Sequence, residues 1–155
     1  MKKLLLIGLI LAACQQDDQI ESEPSLDYLI FGHFYGECIG ERCVEMYKLT
    51  NQFLYEDFSD SYPGKSKPDL HNFLKLNNDL FEKVKPLRSK IPQELLNTTA
   101  QIIGQPDNGD WGGIYFEISE GGENKYWFID KMRSNLPSYL VPFVEEIERD
   151  IELIK

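Results

Sequence analysis

From Ile114 the chain alternates apolar and polar residues, turns through Glu120-Gly121-Gly122-Glu123-Asn124, and continues through Lys125 to Asp130. Ile114, Phe116 and Ile118 fall on one side and Tyr115 and Glu117 on the other, the period of two that predicts a half-buried strand. The two runs read as a hairpin. A hairpin with one apolar face needs a second layer to cover it.

The rest of the chain supplies that layer. After Pro137, Leu140, Phe143, Val144, Ile147, Ile151 and Ile154 line one side of a helix, with Glu145, Glu146, Glu148, Asp150 and Glu152 mostly on the other. Pro142 is tolerable in its first turn, where the missing N–H has no helical partner to lose. Three runs rich in β-formers, Tyr28 to Tyr35, Cys43 to Thr50 and Phe53 to Phe58, predict strands, with Asn51-Gln52 as a turn and Ser59 to Pro68 as a loop. Asp69 is positioned to cap a helix through Leu70, Phe73, Leu74, Leu80, Phe81, Val84 and Leu87, limited by Pro86. Pro92 opens a second helix with Leu95, Leu96, Ile102 and Ile103 on its apolar face, and Gly104 stops it. The order βββ-αα-ββ-α predicts an α+β two-layer sandwich over residues 26–155, with three helices on a largely antiparallel sheet of about five strands. A chain of 155 residues, 42% hydrophobic, suits one such domain.

Residues 1–13 are read as outside that domain. Met1-Lys2-Lys3 is a basic start, and the apolar run from Leu4 ends in Leu11-Ala12-Ala13-Cys14. As a helix, residues 4–13 would reach about 15 Å, half of the ~30 Å hydrocarbon core, which argues for a cleavable export signal and against a retained span. Leu-Ala-Ala-Cys resembles the lipobox of bacterial lipoproteins. The resemblance implies cleavage before Cys14, acylation of its thiol and amine, and a membrane anchor made of acyl chains alone, which two or more chains make stable. Residues 14–25 are read as a flexible acidic tether. Gln15, Asp17 and Asp18 also resemble the surface-export signal of Bacteroidota lipoproteins, with Gln16 and Gln19 where that pattern has lysine and glutamate.

Removing residues 1–13 takes Lys2 and Lys3 from 16 basic residues, against 26 acidic, and moves the formal net charge from −10 to −12. That balance argues against nucleic acid as a partner, since phosphate binding needs clustered positive charge. Between Lys65 and Lys90 seven basic residues face only Asp69, Asp79 and Glu82; they are read either as a solvated helix face or as a seat for an anionic glycan or lipid headgroup. Cys38 and Cys43, close in sequence in an exported chain, are expected to form a disulfide. The rival is a metal site that adds His33, whose spacing departs from the usual zinc patterns.

The densest cluster of turn formers and polar groups is Gln105-Pro106-Asp107-Asn108-Gly109-Asp110-Trp111-Gly112-Gly113. Asp107, Asn108, Asp110 and Trp111 form the candidate ligand-binding loop: three hard oxygen ligands, as calcium takes, beside a flat indole for a sugar or peptide. The segment lacks the EF-hand pattern. The plainer reading is an Asx-type turn whose carboxylates accept backbone N–H groups, with Gly112 and Gly113 allowing close approach and Trp111 folding back on the core. No cofactor, metal or catalytic residue is assigned. No Gly-x-Ser-x-Gly or His-Glu-x-x-His occurs, and His33 and His71 are the two histidines.

Gly36 to Cys43, Tyr55-Glu56-Asp57 with Asp60 and Tyr62-Pro63, Ile91-Pro92 with Leu95-Leu96, and Gly104-Gln105-Pro106-Asp107 with Asp110, Gly112-Gly113 and Tyr115 resemble small surface or periplasmic lipoproteins of the Bacteroidota. The resemblance implies address and fold and transfers no functional residue. The expected protein is an exported, lipid-anchored, non-enzymatic module of the outer membrane, at its cell-surface or periplasmic face, binding a glycan, peptide or protein. The alternative is a small carboxylate- or metal-assisted hydrolase using Asp107, Asp110 or Glu117.

Overall fold

The aromatic and β-branched runs near the start of the domain form β1 (Tyr28–Phe34), β2 (Val44–Thr50) and β3 (Leu54–Asp57), paired antiparallel in succession. The computed structural model describes residues 26–64 and 66–155; Cys14 and the segments 1–13 and 14–25 lie outside the described residues. There follow β4 (Phe73–Lys75), α1 (Asn78–Val84), a 3-10 turn over Lys85–Lys90, α2 (Gln93–Asn97), β5 (Ile102–Ile103), β6 (Gly113–Glu120), β7 (Glu123–Asp130) and α3 (Val141–Ile154). The fold is α+β around one seven-stranded mixed sheet in the order β4-β3-β2-β1-β6-β7-β5.

Two strands come from stretches read as helix, so the expected largely antiparallel sheet of about five strands has seven, with five antiparallel pairings and one parallel, between β5 and β7. Phe73 and Leu74 do not join a helix capped by Asp69. They lie on the free edge of β3, Phe73 opposite Asp57 and Lys75 opposite Tyr55. The helix starts five residues after Phe73, at Asn78, and its cap is Asn77, whose side chain accepts from Leu80 N at 2.9 Å. Likewise α2 ends at Asn97, and Ile102–Ile103 pairs parallel with Phe128 and Ile129. Two adjacent β-branched residues fit that pleated edge better than a helix turn.

On one face of the sheet Leu29, Phe31, Leu49, Phe116 and Ile129 pack against Phe81, Leu87 and Leu95 and against Phe143, Ile147 and Ile151 of α3. Asp150, expected on the polar side of α3, is 2% exposed. At three residues from Ile147 it lies on the inner stripe.

The other face is also buried. Ile30, Phe34, Met46, Tyr115 and Phe128 cluster there under Leu70 and Phe73. The loop joining β3 to β4 straps over them, with Pro63 and Pro68 buried. Its base is pinched where Phe58 N donates to Asn72 O and Asn72 N donates to Asp57 Oδ1, each at 3.0 Å. The half-buried strand expected at 114–118 is therefore buried on both sides, Tyr115 and Glu117 each at 0% exposure.

Cys38 and Cys43 form a disulfide with their Cα atoms 5.6 Å apart, closing the loop between β1 and β2. So short a closure stabilises the fold by roughly 2 kcal/mol in the chain-entropy picture. It also removes the two thiolates on which the His33 metal reading depended. Among the described residues no helix is long and apolar enough to cross a membrane.

Candidate functional site: an aromatic cleft beside the strap

β1 and β7 point Phe34 and Phe128 to the same face, 6.0 Å apart edge to face, and the strap brings Tyr62 to within 5.6 Å of Phe34. With Ile102 of β5 and the turn from Gln105 to Asn108, these rings enclose a cleft of about 600 Å³. That volume is within the range of small-ligand sites, and the arrangement is the usual one of apolar walls with a few convergent polar groups.

The turn is held by two carboxylates. Asp107 Oδ2 accepts from Tyr62 OH at 2.7 Å and from Gly36 N at 2.9 Å, and its Oδ1 accepts from Gly112 N at 3.2 Å. The Asp107 side chain thus ties the strap, the disulfide loop and its own turn together. Burial, reinforced by the Asp107 carboxylate, raises the Tyr62 hydroxyl to about 12, so it stays a donor at neutral pH. Asp130, 2% exposed at the end of β7, accepts from Gln105 N, Met132 N and Asn135 Nδ2, each at 2.8 Å, and fixes the entry to the turn. Gly104 has φ 75° and its Cβ position lies 2.6 Å from Asp130 Cβ, so no side chain fits there. At Gly112, φ 76°, an added Cβ would meet the Tyr35 ring at 2.4 Å.

Asp107 and Asn108 line the cleft, and Asn108 Nδ2 donates to Gln105 Oε1 at 2.6 Å. Asp110, with φ 63°, is exposed. Trp111 is 64% exposed and is not among the residues lining the cleft, so it does not fold back on the core. The loop therefore divides: its first half builds a wall, Gly109 to Trp111 face solvent, and Gly112 and Gly113 return to the buried strand. Among the described residues no three His, Cys, Asp or Glu side chains are grouped to hold a metal ion.

Sequence reasoning missed Phe34, Tyr62 and Phe128. Their common face is legible from strand alternation, but their meeting depends on the strap. It also missed Asp130, whose only signal was an acid ending an apolar strand.

Two further polar groups lie inside the sheet. Glu117 accepts from Lys67 Nζ at 2.7 Å, from Tyr28 OH at 3.3 Å and from Tyr115 OH. Burial and that carboxylate push the Tyr115 hydroxyl far up, keeping it protonated. On the helix face, His33 is 5% exposed with Nε2 3.3 Å from Arg42 O. Burial, and then the charges of Lys155 and Lys131, lower its pKa to about 4. Asp107 and Glu117 share no partner, and each is engaged by the protein's own donors. No protein-family model matches the chain, and no curated protein matches it.

Proposed function

We propose that the protein is an exported lipoprotein anchored through acylated Cys14 at the outer membrane, and that its domain is a non-enzymatic binding module for a glycan or peptide. The observation that carries the binding reading is the cleft walled by Phe34, Tyr62 and Phe128, with Gln105 and Asn108 amides at the turn and the Asp107 carboxylate already hydrogen-bonded. Rings and amides recognise uncharged polar ligands, whereas a carboxylate with three protein donors is a poor general base. β1 leads from Tyr28 to Phe34, so the cleft lies at the far end of that strand from residue 28.

Two results are expected. Cys14→Ser should release the exported protein from the membrane fraction; unchanged retention would remove the lipid anchor from this account. Screening the full chain against neutral oligosaccharides and short peptides, with and without calcium, should find a ligand that raises the unfolding temperature and loses its effect in Phe128→Ala. Turnover of an ester, peptide or glycoside that Asp110→Asn or Glu117→Gln abolishes would replace the binding reading with the hydrolase one.

A further inference from the structure

A second surface occupies the helix-free face of the sheet, on rows of residues away from Phe34 and the cleft. Strand register sets Tyr126, Glu117, Ile30, Lys48, Tyr55 and Lys75 opposite one another across six strands. At ~4.8 Å per strand the row is about 24 Å long. Ile30 and Glu117 are buried, Lys75 is exposed, and Tyr126, Lys48 and Tyr55 are partly exposed. Lys67 comes down from the strap onto Glu117 with its side chain still 41% exposed.

The cations of this face are held over rings. Lys48 Nζ lies 4.2 Å from the centre of the Tyr28 ring and 5.3 Å from that of Phe73, and Lys75 Nζ lies 3.4 Å from that of Phe53. Such contacts orient an ammonium without neutralising it. Among the described residues neither Lys48 nor Lys75 is ion-paired with a carboxylate. Three strand carboxylates that point to this face, Glu117, Asp57 and Asp130, are buried and hydrogen-bonded internally, Asp57 by Asn72 N and the Ser59 hydroxyl. In a chain of formal net charge −10, Lys48 and Lys75 are thus two cations of this face without a carboxylate partner among the described residues.

We propose that this row binds an acidic polysaccharide. Its carboxylates pair with Lys48 and Lys75, and the C–H face of the sugar ring between them lies on Tyr55, since an aromatic ring face is electron-rich. Two ammonium groups flanking a ring, Lys48, Tyr55 and Lys75 on adjacent strands, suit a linear polymer whose own charges recur between apolar faces. An anionic bilayer would call for protruding apolar side chains among the lysines, and here the rings are partly buried within the sheet surface.

The test compares polygalacturonate with its fully methyl-esterified form, which keeps the chain and removes the charge, binding to the full chain in non-ionic detergent. Polygalacturonate should bind, weaken markedly as salt rises past the range where the Debye length falls below about 8 Å, and exceed the ester at least tenfold. Lys48→Gln with Lys75→Gln should weaken it by about tenfold, and Lys48→Arg with Lys75→Arg should retain it. Lys75→Gln alone, at an exposed position, provides a variant whose fold is safe and should lose a few-fold. Equal binding of acid and ester, or glutamine variants that bind like the parent, would overturn the proposal. So would failure of polygalacturonate to bind while vesicles containing phosphatidylglycerol do. The cleft ligand should be unaffected by these lysine variants, so the two readings fail separately.

Discussion

Lys67→Met should destabilise the protein by about 2 kcal/mol, and adding Glu117→Gln should restore much of the loss. Glu117 is fully buried in the central strand β6, and Lys67 is its ion-pair partner among the described residues, at 2.7 Å. Removing the lysine leaves a buried carboxylate whose remaining donors among the described residues are the Tyr28 and Tyr115 hydroxyls. Breaking a buried pair from one side typically costs several kcal/mol; the 41% exposure of Lys67 and the two phenols place this case at the low end. A glutamine side chain needs no counter-charge and still accepts from Tyr115, so the double variant should be more stable than Lys67→Met alone. For a domain of this size, 2 kcal/mol is a fall of about 6 °C in unfolding temperature. Chemical denaturation of the four proteins measures the cycle. Additive effects would mean that Lys67 and Glu117 act independently and that the strap is not fastened by this pair.

The same pair marks where sequence reading reached its limit. Alternation at Ile114, Phe116 and Ile118 and the Gly121-Gly122 turn gave β6 and β7 correctly, because period two with a glycine turn has few other solutions. The apolar stripe of α3 was equally plain. Phe73-Leu74 and Ile102-Ile103 were misread because apolar pairs at helical spacing also suit short edge strands, and only the open edges of β3 and β7 decide between them. Tyr115 and Glu117 read as a solvent-facing pair because nothing local announces that the polar, proline-bearing loop after β3 returns across them. The cleft inherits the same limit. Its Asp107 turn was legible as a turn, but the partner that makes it a wall, Tyr62, lies 45 residues away in sequence.

Two buried titrating groups should pull acid stability in opposite directions, and single variants should separate them. His33 has its pKa lowered to about 4, mainly by burial, against 6.5 when unfolded. The unfolded chain then binds the proton more tightly, so this group's contribution is intact above pH 6.5 and is lost as pH falls toward 4. Asp150 is shifted the other way, raised to about 6 by burial against the opposing charges of Arg149 and Lys90. One of its oxygens is buried without a hydrogen-bond partner among the described residues. The folded protein binds that proton more tightly, so stability is gained as pH falls through 6, and the gain is complete below 3.8. Between pH 7 and 4.5 each effect amounts to about 2 kcal/mol, and in the parent they nearly cancel. His33→Gln, which keeps a donor near Arg42 O, should therefore become more stable relative to the parent on acidification. Asp150→Asn should be more stable than the parent at pH 7 and lose that advantage by pH 4.5. Denaturant unfolding across this range, read as differences from the parent so that the surface carboxylates drop out, measures both slopes. Parallel curves for all three proteins would show that His33 and Asp150 do not titrate as their burial demands. A His33→Gln curve that falls faster than the parent's would reverse the sign assigned to the histidine.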